Sequence, residues 1–259
     1  MSDDPRKFLE VALEAVKKAE PIFRKSFGKA SGIIEKQQGI HRSPVTDIDK
    51  EIETTIASML AKHFPRHSIF GEEFPAQKKS GPYTWYLDPI DGTINYIRGL
   101  PGASISLGLW ESETPLVAVV FDPLGNNIYS AMRGAGAFKN GTQKLSVSSI
   151  SKLADGMGGM GRLAALADDP ILQRVARKLY RGRQYGGSAL ELCLMAEGKL
   201  DCLVSERIKI YDVAAGMLIL SEAGGKATDW KGNPFTPASL QFAASNGKIH
   251  NELLKELKG

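Results

Sequence analysis

The chain has 259 residues, 42% of them hydrophobic and 24% charged, which is enough apolar material for one large globular unit or two closely packed halves and excludes a disordered chain. Lys and Arg number 33 against 29 acids, a net charge of +4, yet no basic run exceeds the pairs Lys17-Lys18 and Lys78-Lys79, so nucleic acid is not expected as the main partner. No apolar run approaches membrane length, no signal peptide is visible, and the two cysteines, Cys193 and Cys202, lie in apolar segments without a CxxC, as buried thiols of a reducing, cytoplasmic compartment would.

In chain order, Asp4 and Pro5 read as the N-cap and first residue of a helix carrying Phe8, Val11, Ala12, Ala15 and Ala19 on one face. A second helix is expected to open near Thr46, with Ile48, Ile52, Ile56, Met59, Leu60 and Phe64 at helical spacing. His63 and His67 have the spacing of a helical metal pair, but Pro65 between them speaks against zinc. "HSIFGEEF" and "TWYLD" then read as short strands, each ending in acid. Over residues 103–138, "ASISLGLW", "LVAVVF" and "NIYSAM" alternate with the turn-rich "ESETP" and "DPLGN", the pattern of an antiparallel meander.

Later in the chain the signals alternate. Helices are expected in "ILQRVARKLYRG", "SALELCLMAEGK" and "DVAAGMLILSEAGG", and strands in "LDCLVS", "KATDW" and "LQFAASN". This divides the chain into an α+β half, residues 1–145, and a more α/β-like half, residues 146–259. "GMGGMG" matches a dinucleotide fingerprint at Gly156, Gly158 and Gly161, but no acid ends a strand twenty residues further on, so that match carries little.

Five acids end apolar segments: Glu72 and Glu73 after "SIFG", Asp88 after "WYL", Asp91 within "DPIDGT", and Asp212 before "VAAG". The proline and glycine around Asp88 and Asp91 rule out a solvated helix face. Gathered together, such carboxylates repel unless cations intervene, and hard oxygen donors suit Mg²⁺, Mn²⁺ or Ca²⁺. If a helix starts at Gly92-Thr93, its free N–H groups accept an anion, with phosphate the obvious guest. Two roles stay open at this point. Thr46-x-x-Asp49 has capping-box spacing, so Asp49 can serve only to cap a helix, and Asp212 can be the N-cap of the run that follows it.

"WYLDPIDGTINY", with "GEEF" upstream and "YDVAAGMLILSEAGG" downstream, resembles the inositol monophosphatase family of Mg²⁺-dependent, lithium-sensitive phosphatases, and "SPVTDID" and the first helix extend the match over nearly the whole chain. The resemblance implies a layered α-β-α-β-α sandwich, as in inositol monophosphatase and fructose-1,6-bisphosphatase. It further implies a homodimer, two or three Mg²⁺ ions with Mn²⁺ as a substitute, and attack of water on a small phosphorylated polyol or sugar. By the same resemblance Glu72 binds metal and helps activate water, Asp88 bridges two metals, and the Ile90 carbonyl, Asp91 and Asp212 complete the protein ligands. Asp91, Gly92 and Thr93 bind phosphate, and Asp49 hydrogen-bonds Thr93. Gly187, Ser188, Ala189 and Glu206 touch the substrate. The chain departs from the pattern at Tyr211, where tryptophan is usual, and at Glu206, six rather than seven residues before Asp212.

"GSALELC" and "DVAAG" lean toward inositol phosphatases, whereas "GEEF", "RGLP" and "TDWKGNP" are similar to the histidinol-phosphate phosphatase branch. Fructose-1,6-bisphosphate, NADP and 3′-nucleotides are further substrates of the superfamily. A reading from another class is an RNA- or transcription-associated binding protein; the intact acids and the lack of a basic stripe argue against it.

Overall fold

The computed structural model describes residues 4–29, 34–38, 41–45, 47–160 and 168–258, with residues 34–38 and 41–45 as backbone only. Helix α1 (Pro5–Ser26) starts where Asp4 accepts the Arg6 N–H, with Pro5 at its first position, and buries Phe8, Val11, Ala12, Ala15, Val16, Ala19 and Phe23. After the antiparallel hairpin of β1 (Ile34–Gln38) and β2 (His41–Val45), α2 (Asp47–His63) buries Asp49, Ile52, Glu53, Ile56 and Leu60. This stripe follows helical periodicity, and two of its five members are acids. Thr46, expected to open this helix, lies outside the described residues.

A seven-stranded sheet follows, in the order β3-β4-β5-β6-β7-β8-β9. It contains β3 (Ser68–Gly71), β4 (Tyr83–Asp91), β5 (Ser104–Glu111), β6 (Thr114–Asp122), β7 (Asn127–Met132), β8 (Gly136–Lys139) and β9 (Gln143–Lys144). Only β3 runs parallel to its neighbour; the rest is the expected meander. Helix α3 (Thr93–Arg98) interrupts it after β4.

The second sheet has the order β11-β10-β12-β14-β13 and mixed direction. Its strands are β10 (Met157–Met160), β11 (Arg181–Arg183), β12 (Cys202–Glu206), β13 (Lys226–Thr228) and β14 (Gln241–Ser245). Among the described residues, the α-helices after β9 are α4 (Pro170–Lys178), α5 (Ser188–Ala196), α6 (Ile210–Glu222) and α7 (His250–Lys258).

Four apolar cores separate five layers. The first joins α1 and α2 to one face of the larger sheet, and the second joins its other face to α5 and α6. The third joins α5 and α6 to the smaller sheet, and the last joins that sheet to α4 and α7. Strand periodicity sorts the side chains. On β6, Val117, Val119 and Phe121 face the outer helices while Ala118 and Val120 face the central pair. On β12, Cys202 and Val204 face outward and Leu203 inward. Because α5 and α6 lie between two sheets they are apolar on nearly every side, which explains the uninterrupted run "VAAGMLIL".

Several expectations shift. Strand β10 runs through the glycines of "GMGGMG", so Gly158 and Gly159 are strand residues; Gly161 lies outside the described residues. The helix expected to reach Gly182 ends at Lys178, and 181–183 form β11. Helix α7 was not anticipated, although His250, Leu253, Leu254 and Leu257 stand at helical spacing, and neither was the β1–β2 pair. His67 is buried among aromatic rings and accepts the Trp85 indole N–H at 3.2 Å, a core role. Cys193 and Cys202 are both fully buried. No helix among the described residues is long and apolar enough to cross a membrane.

Candidate active site

The spacing of Asp88 and Asp91 is resolved by the end of β4. Residues three apart on a regular strand face opposite sides. Here Asp88 pairs with Ser106 and Asp91 with Ser104, with a register shift between them. Three residues on β4 therefore oppose two on β5, a bulge that turns both carboxylates to the same face. Pro89 is tolerated because it sits in that bulge. Ile105 and Leu107 belong to the outer core, so Ser104, Ser106 and the two acids face the central helices. Asp88 and Asp91 are 3% and 7% exposed.

Gly92 follows at φ 80°, ψ 41° as N-cap of α3, and a Cβ there would stand 2.5 Å from the Gly102 carbonyl oxygen. Only glycine fits both constraints. The Thr93 hydroxyl donates to the Ile90 carbonyl at 3.0 Å, which links two of the expected site residues and leaves the hydroxyl oxygen available as an acceptor.

The other acids arrive from separate elements. Glu72 directly follows β3, whose Gly71 pairs with Leu87, so Glu72 comes level with Asp88. Asp49 comes from the buried face of α2 and Asp212 from the first turn of α6. Their gathering is felt electrostatically. Burial first, then the charges of Glu72, Asp91, Asp212 and Asp49, push the Asp88 carboxyl well above the usual range. Burial and Asp212 raise Asp91 likewise, against the N–H groups of Ala189 and Ser188, which favour its ionised form. The Tyr211 hydroxyl is raised by burial and by Glu72, Asp212, Asp88 and Glu73, and its ring stacks on Phe70 at 6.2 Å between centroids. Tyr211 thus sits inside the acid group.

Asp212 stands third in α6, behind the N-cap Lys209, and accepts the Lys209 N–H at 3.0 Å. The N-cap reading of Asp212 is thereby corrected. The carboxylate that caps a neighbouring helix is Asp91. It accepts the N–H groups of Ser188 at 3.2 Å and Ala189 at 2.8 Å at the start of α5, whose own N-cap, Gly187, has no side chain to offer. The segment before α5 is held twice more: Tyr185 accepts from the Asn95 side-chain amide and donates its N–H to Glu191 at 2.9 Å. Burial raises the Glu191 carboxyl to about 7. Glu206 is set apart: it ends β12, lies 3.9 Å from the Arg207 guanidinium, and the charges raising Asp88 and Asp91 belong to other acids.

Sequence reasoning missed three residues that shape the site: Glu53, Asn95 and Glu191. Glu53 had a signal, since it falls on the apolar stripe of α2 where an acid is out of pattern. Asn95 and Glu191 had none, because their partners lie about ninety and six residues away on a loop.

The donor set fits a hard divalent cation. The charges that act most on Asp88 are those of four acids, and the donors are carboxylate and carbonyl oxygens with no thiol or imidazole in the set. Among the described residues no three His, Cys, Asp or Glu side chains are already drawn into ligand geometry. Asp88, Asp91 and Asp212 spend lone pairs on the N–H groups of Ile90, Ser188, Ala189 and Lys209, and each oxygen has a second lone pair to offer.

Residues 4–258 match the family model described as the inositol monophosphatase family. A Thermotoga maritima protein named fructose-1,6-bisphosphatase/inositol-1-monophosphatase is 34% identical, over 95% of this chain and 94% of that protein. Inositol monophosphatase 2 of Solanum lycopersicum is 37% identical over 96% and 97%, and a Nus factor SuhB of Xylella fastidiosa 36% identical over 80% and 79%. The solved structure of a Thermotoga maritima IMPase superposes with a TM-score of 0.89 at 34% identity, covering 97% of each chain.

Proposed function

The chain belongs to the inositol monophosphatase family, a family of phosphatases, and from that premise we propose that it is a Mg²⁺-dependent phosphomonoesterase acting on a small phosphorylated polyol, with inositol 1-phosphate the foremost substrate. The observation that carries this reading is the acid pair on the β4 bulge, buried among like charges directly before the left-handed turn into α3.

Glu72, Asp88, the Ile90 carbonyl, Asp91 and Asp212 would hold Mg²⁺, with Mn²⁺ as a substitute. The bound ions supply Lewis-acid polarisation of the phosphoryl group and stabilise the charge on the leaving oxygen. The chain's own residues do the rest. The first-turn N–H groups at Gly92 and Thr93 hold the phosphate. The Thr93 hydroxyl and the Asp49 and Glu72 carboxylates orient the attacking water and take up its proton. The N-terminus of α5 lies against Asp91, whose carboxylate takes the Ser188 and Ala189 amides, and the segment at Gly187, Ser188 and Ala189 meets the substrate's hydroxyls through the Ser188 hydroxyl. Glu206, at the end of β12, is the candidate contact for the substrate's body.

Phosphate release from inositol 1-phosphate, histidinol phosphate, fructose 1,6-bisphosphate and NADP, each with Mg²⁺ and with excess EDTA, tests the reading. Full turnover in EDTA overturns the metal dependence, and the preferred compound identifies the substrate. The name of the Thermotoga relative favours fructose 1,6-bisphosphate as a second substrate of the same site. The SuhB name of another relative makes an RNA gel-shift assay worthwhile beside it. The homodimer implied by the family resemblance is a separate expectation, and sedimentation tests it.

A further inference from the structure

Glu53 lies outside the acid group just described, yet it is 2% exposed. A carboxylate buried this deeply is stable only if its charge is met by donors. Its two oxygens accept the backbone N–H groups of Glu73 at 2.8 Å and Phe74 at 3.1 Å. On the other side it packs on Gly71, where an added Cβ would come within 2.1 Å of Oε1. Gly71, Glu73 and Phe74 bracket Glu72. The α2 carboxylate thus grips the chain before and after the one acid that the site draws from a turn rather than from a regular element or a bulge.

Strand β3 is the edge of its sheet and ends at Gly71. An isolated bridge between Ile69 and Gln77 closes the loop that follows, but among the described residues no ladder pairing holds Glu72–Phe74 within it. Two charge-assisted hydrogen bonds from a helix anchored by Ile52, Ile56 and Leu60 supply that restraint. We infer that Glu53 is a positioning residue for cation binding: by fixing the Gly71–Phe74 turn it holds the Glu72 carboxylate level with Asp88. This rests on the reading of the acids as a divalent-cation site.

Glu53→Gln keeps the shape but turns one acceptor into an amide donor facing a backbone N–H. Gly71→Ala pushes on the same carboxylate from the opposite side without changing charge, and Gly71 is not at positive φ, so alanine is allowed there. Mn²⁺ binding to each purified variant, followed by electron paramagnetic resonance, reads the site directly, with thermal unfolding as the check on folding. Both variants are expected to unfold cooperatively and to bind Mn²⁺ about 10-fold or more weakly, the scale of a lost outer partner to a ligand. The Mg²⁺ needed for half-maximal phosphate release should rise in parallel while the rate at saturating Mg²⁺ changes far less. If Glu53→Gln does not fold, Gly71→Ala decides. Wild-type Mn²⁺ affinity in the folded variants overturns the inference when Asp88→Asn has lost binding. If Asp88→Asn also binds Mn²⁺ as wild type does, the cation reading of the acids falls, and the inference with it.

Discussion

The end of β4 and the first turns of the central helices α5 and α6 serve one site by opposite means. On β4 everything needed is covalently consecutive: two acids, a carbonyl, a left-handed glycine and a threonine within six residues, all turned to one side by a single extra residue. The central helices contribute through space. Their Asp212 and their Ser188 and Ala189 amides meet the β4 acids only because α5 and α6 are packed between two sheets. Local chemistry written into a bulge survives moderate changes elsewhere, whereas a contribution delivered by packing depends on every layer beneath it.

The comparison is sharpened most by Asp88→Asn. Removing one negative charge from a buried group of like charges should leave the fold intact and not lower the melting temperature of the metal-free protein. Turnover should fall at least ~10³-fold, because several kcal/mol of charge stabilisation in the transition state depends on the ions it holds. A rate near wild type would mean the acid pair is not the centre of the site. Thr93→Ala comes next. The backbone donors stay, so the loss should appear in kcat, by about 10²-fold; a change confined to KM would contradict a role in orienting water.

Gly187→Ala tests the other side of the comparison, because its Cβ would stand 2.5 Å from the Gly102 oxygen and 2.9 Å from Asp91 Oδ2. It should cost about 1–3 kcal/mol of stability by overpacking and lower activity by shifting the α5 amides off Asp91. Denaturant unfolding with parallel assays reads both. A full-strength enzyme would show that the helix contribution is dispensable.

The smallest effect concerns pH. Asp88, Asp91 and Glu191 have their carboxyls raised in the folded protein, so the native state binds protons more readily than the unfolded chain. Stability from these groups is complete below the ordinary carboxylate range and is lost as pH rises through the folded values. The melting temperature of the metal-free protein should therefore fall as pH rises above the ordinary carboxylate range, and Mg²⁺ should reduce the fall. Glu191→Gln should remove the part of it that lies between the ordinary value of 4.5 and about 7. An unchanged profile would mean Glu191 does not titrate in this window.

Much of this was legible in the residues. Apolar periodicity disclosed α1, α2, the meander and the central helices, because each buries a continuous face and burial dictates the pattern. Proline and glycine around Asp88 and Asp91 marked a non-regular chain segment, and the order of the acid motifs carried the family. The sequence could not disclose that a bulge aligns Asp88 with Asp91, since that is a property of pairing with β5. Nor could it disclose that Asp91 caps α5, that Asp212 is third in its helix rather than the cap, or that Glu53 grips the turn bearing Glu72. Hydrophobic burial is roughly a sum over residues and so leaves a one-dimensional trace. Hydrogen bonds from a buried carboxylate to backbone amides some twenty to a hundred residues away leave no trace, because any residue can supply an N–H and only the packed layers decide which one is within reach.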